Sequence, residues 1–179
     1  MNAVAVIVVD MLNPYDHEDA GALQKSVEQI VEPLAELMRR AHRHRDAQLI
    51  VVNDNHGDFS ATADDLRRRA LEGRRPDLVE PVLPPADCAF MPKVRHSAFF
   101  GTPLEYLLRR EEIENVVLAG QVTEQCVLYS ALDAYVRDFS LRVASDCVAH
   151  IHPDLADASL RMMERNMRAE LLPAERCLE

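Results

Sequence analysis

The chain has 179 residues, 48% of them hydrophobic, which suits one compact domain spanning 1–179 and leaves little room for a second. Its net charge of −10 argues against a nucleic-acid binder, for which a basic stripe is expected. The first apolar run is too short to span a membrane, lacks a basic flank and cleavage site, and ends in Asp10, so a cytoplasmic protein with no membrane partner is expected.

Residues 3–9 (AVAVIVV) form a continuous apolar run rich in β-branched residues, the pattern of a strand buried on both faces. Residues 22–44 follow with helical spacing (Leu23, Val27, Ile30, Val31, Leu34, Leu37, Met38), and Pro33 inside them is a potential kink or break. QLIVVN (48–53) reads as a second buried strand. The stretch 54–86 is the longest irregular part and contains the Arg-rich LRRRALEGRRPDL. A short third strand lies in CAFMPK (88–93), a helix in 102–111 and a fourth strand in NVVLAG (115–120). Residues 123–137 read as a helix, 140–146 as a fifth strand, 154–168 as a last helix and 169–172 as a short sixth strand. Strands alternating with helices predict a Rossmann-like α/β fold, a parallel sheet covered on both faces.

Three reactive side chains fall at the carboxyl ends of predicted strands: Asp10 after the first, Lys93 after the third and Cys126 after the fourth. Ligands of open α/β sheets bind outside the carboxyl strand ends, where strand order reverses. In the order 3-2-1-4-5-6 the first and fourth strands meet at that reversal, which sets Asp10 opposite Cys126. Cys126 falls in the first turn of a helix, with Thr123 as the expected N-cap. The helix dipole and Lys93 would both favour a thiolate there. Asp10 could take the thiol proton, and N–H groups of 122–126 could hold an oxyanion. On spacing alone a buried cysteine on an amphipathic helix explains the same residues equally well. The other cysteines, at 88, 147 and 177, form no C-x-x-C pair and are expected to be free thiols.

AVIVVDMLN (5–13), PKVRHSAFFGTPLEYLL (92–108) and VVLAGQVTEQCVLYSALDAYVRDF (116–139), with SDCVA (145–149), resemble the isochorismatase-like cysteine hydrolases, the family of nicotinamidases and N-carbamoylsarcosine amidohydrolase. The resemblance covers nearly the whole chain in the right order. It implies a three-layer α/β/α fold with a six-stranded parallel sheet and an Asp10–Lys93–Cys126 triad. It also implies a non-proline cis peptide at Gln121–Val122 and an oxyanion hole from the N–H groups of Val122 and Cys126. The activity implied is hydrolysis of a small amide through a thioester. Alternatives are a vinyl-ether hydrolase, which has no need of a thiol nucleophile, and an idle interaction domain, which has no need of all three residues.

This sequence also departs from its relatives. Leu12 stands where many carry a glutamine that binds substrate. Nicotinamidases hold a metal through an Asp and histidines, and Asp54 and His56 form a D-x-H at the corresponding place. A turn in the Asn- and Asp-rich NDNHGD explains that pair without a metal, so no cofactor is expected. His96, Phe99, Tyr15, Tyr129 and Leu12 are candidate substrate contacts, each with a packing role as its alternative. Asp146 is expected either to orient the site or to cap. The Arg cluster at 67–69 and 74–75 is expected on a solvated helix face or an oligomer contact. The partners expected are a small-molecule substrate and further copies of the chain, as a dimer or tetramer.

Overall fold

A computed structural model describes residues 4–179; Ala3, at the start of the first predicted strand, lies outside the described residues. The elements in chain order are β1 (Val4–Val9), α1 (Ala20–Arg43), β2 (Ala47–Asp54), α2 (Ala63–Leu71), α3 (Pro76–Val79), β3 (Ala89–Lys93), α4 (Leu104–Arg110), β4 (Asn115–Gln121), α5 (Leu128–Val136), β5 (Ser140–Ala149), α6 (Pro153–Met167) and β6 (Glu170–Leu172). The strands form one parallel sheet in the order β3-β2-β1-β4-β5-β6.

Every residue of β1 is buried, because the strand is central and both faces are covered. Val4, Val6 and Val8 pack on one face with Leu23, Val27 and Leu34 of α1, Leu66 of α2 and Leu78 of α3. Ala5, Ile7 and Val9 pack on the other with Leu104 and Leu108 of α4, Ala131 and Ala134 of α5 and Met163 of α6. The two cores make three layers. The helices change face between the β1–α1–β2 half and the half that continues from β4. That change opens the crevice between the carboxyl ends of β1 and β4.

Helix α1 runs through Pro33 as one helix rather than breaking there. Its buried positions Leu23, Val27, Ile30, Leu34, Leu37, Met38 and Ala41 lie on one stripe of the 3.6-residue period. That burial outweighs the one backbone hydrogen bond proline removes, since each fully buried aliphatic chain stabilises by about 1.5–3 kcal/mol.

The stretch 54–86 is less irregular than its composition suggests. It contains α2 and α3, and α2 is set by a capping box in which Thr62 and Asp65 exchange side-chain and backbone hydrogen bonds. Arg68 and Arg69 lie on α2 and pair with Asp65 and Asp58. Among the described residues no helix is long and apolar enough to cross a membrane.

Gly120 allows β4 to reach the crevice beside β1. It pairs with Val9 and has φ +110°, and a Cβ there would stand 2.2 Å from the Val9 carbonyl oxygen. Both the conformation and the space exclude a side chain. Gly120→Ala is expected to cost at least about 3 kcal/mol, seen as a lower urea midpoint or loss of soluble protein. A wild-type midpoint would show that the strands do not approach this closely.

Candidate active site

The carboxyl ends of four strands and the turn after β4 converge at the crevice. Asp10 follows β1 in a left-handed conformation, φ 58°. Its N–H donates to the Val52 carbonyl at 3.0 Å, and its own carbonyl accepts from Gln121 Nε2 at 2.6 Å. The strand end is thus pinned from β2 and β4, which aims the carboxylate across the sheet top. Lys93 closes β3 with no exposed side-chain surface, and its ammonium lies 2.9 Å from Asp10 Oδ2. The same Nζ lies 3.7 Å from Cys126 Sγ.

Cys126 sits in a π-helical turn, Thr123–Val127, that leads into α5. The expected N-cap at Thr123 is not formed: β4 ends in an extended Val122, and the Thr123 hydroxyl donates instead to the Ala149 carbonyl at 3.0 Å. Glu124 ties the turn to the end of β5 by accepting the N–H groups of Ile151 and His152 at 2.9 and 2.7 Å. Ser130 donates to the Cys126 carbonyl at 2.6 Å and accepts the Ala98 N–H at 2.9 Å, joining the loop after β3 to the turn that carries Cys126. The peptide Gln121–Val122 is cis.

The electrostatics differ from the sequence expectation. Burial pushes the Cys126 thiol up and the charge of Asp10 pushes it further, while Lys93 pulls the other way without prevailing. Burial and Asp10 thus favour the thiol form of the sulfur, whose hydrogen-bonding neighbours are Lys93 Nζ at 3.7 Å and His96 Nδ1 at 3.9 Å. Burial also raises Asp10, against the opposing pull of Lys93. For Lys93 burial acts downward, but Asp10, Cys126 and Asp54 outweigh it and hold the ammonium charged. Asp10 and Cys126 thus share one buried ammonium as a neighbour.

The structure sorts the other sequence candidates by position. His96 is exposed, with Nδ1 3.9 Å from Cys126 Sγ, and its ring meets Tyr129 at a centroid distance of 5.4 Å. These two rings border the open side of the thiol. Leu12, Tyr15 and Phe99 lie in the interior instead, at 1%, 0% and 5% exposure, and present almost no surface to a ligand. Leu12 is held by a two-way hydrogen bond with Asn53, at 2.8 and 3.1 Å. The Tyr15 phenol is pushed up to about 12 by burial, and Phe99 packs on Phe139. Asp146 accepts the Ala174 N–H at 2.8 Å and so fastens the C-terminal turn, away from the thiol.

The D-x-H pair does not fit a metal. Asp54 Oδ2 lies 3.1 Å from Lys93 Nζ and Oδ1 accepts the His56 N–H at 2.8 Å, so both oxygens are engaged. The His56 ring lies 3.4 Å from the Leu12 carbonyl, and among the described residues no group of three His, Cys, Asp or Glu side chains converges. Asp54 is thereby a member of the site that sequence reasoning put elsewhere. The signal was the strand register, which pairs Asp54 with Lys93. Gln121 was likewise missed as the clamp on Asp10.

The family model described as an Isochorismatase domain matches residues 4–176. The chain belongs to the isochorismatase family. Within the isochorismatase family, the uncharacterized protein YaaI of Bacillus subtilis is 30% identical over 175 residues, 98% of this chain and 96% of its own length. Maleamate amidohydrolase of Pseudomonas putida is 30% identical over 166 residues, 87% of this chain and 76% of its own. The crystal structure of N-carbamoylsarcosine amidase from Thermoplasma acidophilum superposes with a TM-score of 0.75 at 26% identity, covering 97% of this chain and 98% of that one. The six-stranded parallel sheet and its strand order are those of the isochorismatase-like α/β fold.

Proposed function

We propose that the protein is a cysteine-dependent amidohydrolase that cleaves the C–N bond of a small amide through a thioester on Cys126. The carrying observation is the Lys93 ammonium lying 2.9 Å from Asp10 and 3.7 Å from Cys126 Sγ. Moving the thiol proton to Asp10 shifts one negative charge from carboxylate to sulfur. The cation faces that charge before and after the transfer, so its charge does not have to be re-solvated during the step. Asp10, raised by burial, moves in the direction a general base requires.

In this mechanism Asp10 takes the Cys126 proton and the sulfur attacks the carbonyl carbon. The N–H groups of Val122 and Cys126 hold the oxyanion. The C–N bond breaks and the leaving amine takes the proton from Asp10. Water then adds to the thioester with Asp10 as base, the acid leaves, and the returned proton restores the thiol. His96 and Tyr129 contact the substrate at the open side. Amide-cleaving relatives such as maleamate amidohydrolase and N-carbamoylsarcosine amidase support the C–N bond as target. A raised thiol also argues for base-assisted attack, since a preformed thiolate would need no Asp10.

Ammonia release across a panel of small primary amides and ureido compounds tests the reading. At least one is expected to turn over, and iodoacetamide is expected to abolish that turnover with protection by the active amide. Silence across the panel, together with alkylation-insensitive cleavage of an enol ether, would replace it by the vinyl-ether reaction.

A further inference from the structure

Lys93 carries two carboxylates where the proposed reaction uses one. Asp10 Oδ2 stands 2.9 Å from its Nζ and Asp54 Oδ2 stands 3.1 Å away. The second contact is built into the sheet, because the parallel register of β2 and β3 places Asp54 beside Lys93. Asp54 also touches the proton carrier, its N–H donating to Asp10 Oδ1 at 2.7 Å. Its other carboxylate oxygen is fixed by the His56 N–H at 2.8 Å.

We propose that Asp54 is a positioning residue, a fixed counter-charge that holds the Lys93 ammonium between two carboxylates and leaves Asp10 free to carry the proton, rather than a metal ligand. This deepens the amidohydrolase reading and rests on it for the identity of the proton carrier. A lone buried ammonium would bind the nearest carboxylate in its ionised form and make Asp10 a poor base. With Asp54 beside it, the ammonium is neutralised from the solvent side, where the Asp54 side chain keeps 32% of its surface. Burial acts to raise Asp54, but Lys93 and the His56 N–H outweigh it and hold it below the usual carboxylate range. Burial keeps Asp10 raised. Two carboxylates on one cation are thus driven apart, the pattern that separates a proton carrier from a permanent anion. The charged or titratable groups facing the thiol are Asp10 from β1, Asp54 from β2, Lys93 from β3 and His96 from the following loop.

The test reads the pH dependence of iodoacetamide alkylation at Cys126, followed by peptide mass spectrometry on the full chain, in the wild type and in Asp54→Asn and Asp54→Glu. Asparagine keeps an acceptor for the His56 N–H and removes the charge, at a half-open strand end that tolerates the change. Because the Asp54 charge pushes the thiol up, the Asn variant is expected to alkylate with a midpoint about one pH unit lower. Its hydrolytic kcat is expected to fall about a hundredfold at nearly unchanged KM. Asp54→Glu, which keeps the charge, is expected to recover most of the wild-type midpoint. An unmoved midpoint in Asp54→Asn overturns the proposal, as does an equal shift in both variants. So does a stoichiometric metal held by wild type and lost from Asp54→Asn in elemental analysis. Alkylation needs no hydrolysis, so where a silent amide panel and enol-ether cleavage replace the amidohydrolase reading, this arm still reports on Asp54.

Discussion

Cys126→Ala is expected to abolish turnover and to leave the fold intact. The side chain is 8% exposed and borders Val127 and Ala131 in the core under α5. Losing one sulfur from that edge costs about 1 kcal/mol, the scale of a small buried truncation. Its sulfur lies 3.7 Å from Lys93 Nζ and 3.9 Å from His96 Nδ1, and Lys93 keeps Asp10 at 2.9 Å after the change. The two explanations of this cysteine therefore diverge sharply. A packing cysteine loses a little stability and no activity; a nucleophile loses activity on the order of 10⁴-fold or more. Cys126→Ser sharpens the comparison, because it keeps the volume and a hydrogen-bonding group but offers Asp10 a proton far harder to remove. It is expected to sit with the alanine variant in ammonia release and with the wild type in thermal melting. Amide hydrolysis by either variant within tenfold of wild type would return Cys126 to the core.

The sheet was legible because its central strands are nearly continuous apolar runs, the pattern of strands buried on both faces of a parallel sheet. Its edges were less so. The fifth strand was expected to end at Asp146, a polar stop, yet β5 continues to Ala149 after the register shift between Leu118 and Gly120. Asp146 is tolerated there because the Ala174 N–H satisfies it, a contact 28 residues away that no local pattern carries. The Asp10–Lys93–Cys126 cluster was visible as reactive residue types at three strand ends. Its protonation was not, since the raised thiol follows from burial and from Asp10 as a neighbour rather than from its place near a helix start. The same reason misplaced Asp54. Read along the chain it belongs with His56; read across the sheet it belongs with Lys93. Aromatic residues near the motifs gave no indication of which way they face, and Tyr15 and Phe99 turned inward while Tyr129 stayed out.

Lys93→Met is expected to remove activity and stability together, with the stability loss depending on pH. Methionine fills much of the same buried space and supplies no charge, so packing is largely kept. What remains is Asp10, 13% exposed, and Asp54, 32% exposed, facing each other without a cation. Removing one partner of a buried ion pair costs about 3–5 kcal/mol, and partial exposure of Asp54 places this case toward the lower figure. In a chain of this size that corresponds to a melting temperature lower by about 10 °C at neutral pH. The sign of the pH dependence follows from which groups stay charged. In acid both carboxylates are protonated in folded and unfolded chain alike, and the variant loses little. As pH rises past the ordinary carboxylate range, the unfolded chain releases both protons while the folded variant retains one on Asp10, already raised by burial in the wild type. The folded state then binds more protons than the unfolded one, so its stability falls as pH rises. The gap between variant and wild type should therefore widen from about pH 4 to pH 8. Differential scanning calorimetry at several pH values measures it, and a gap that is constant or narrows would mean that Lys93 does not compensate these carboxylates. Hydrolysis is expected to be lost as well, because the sulfur has no positive neighbour when it becomes an anion.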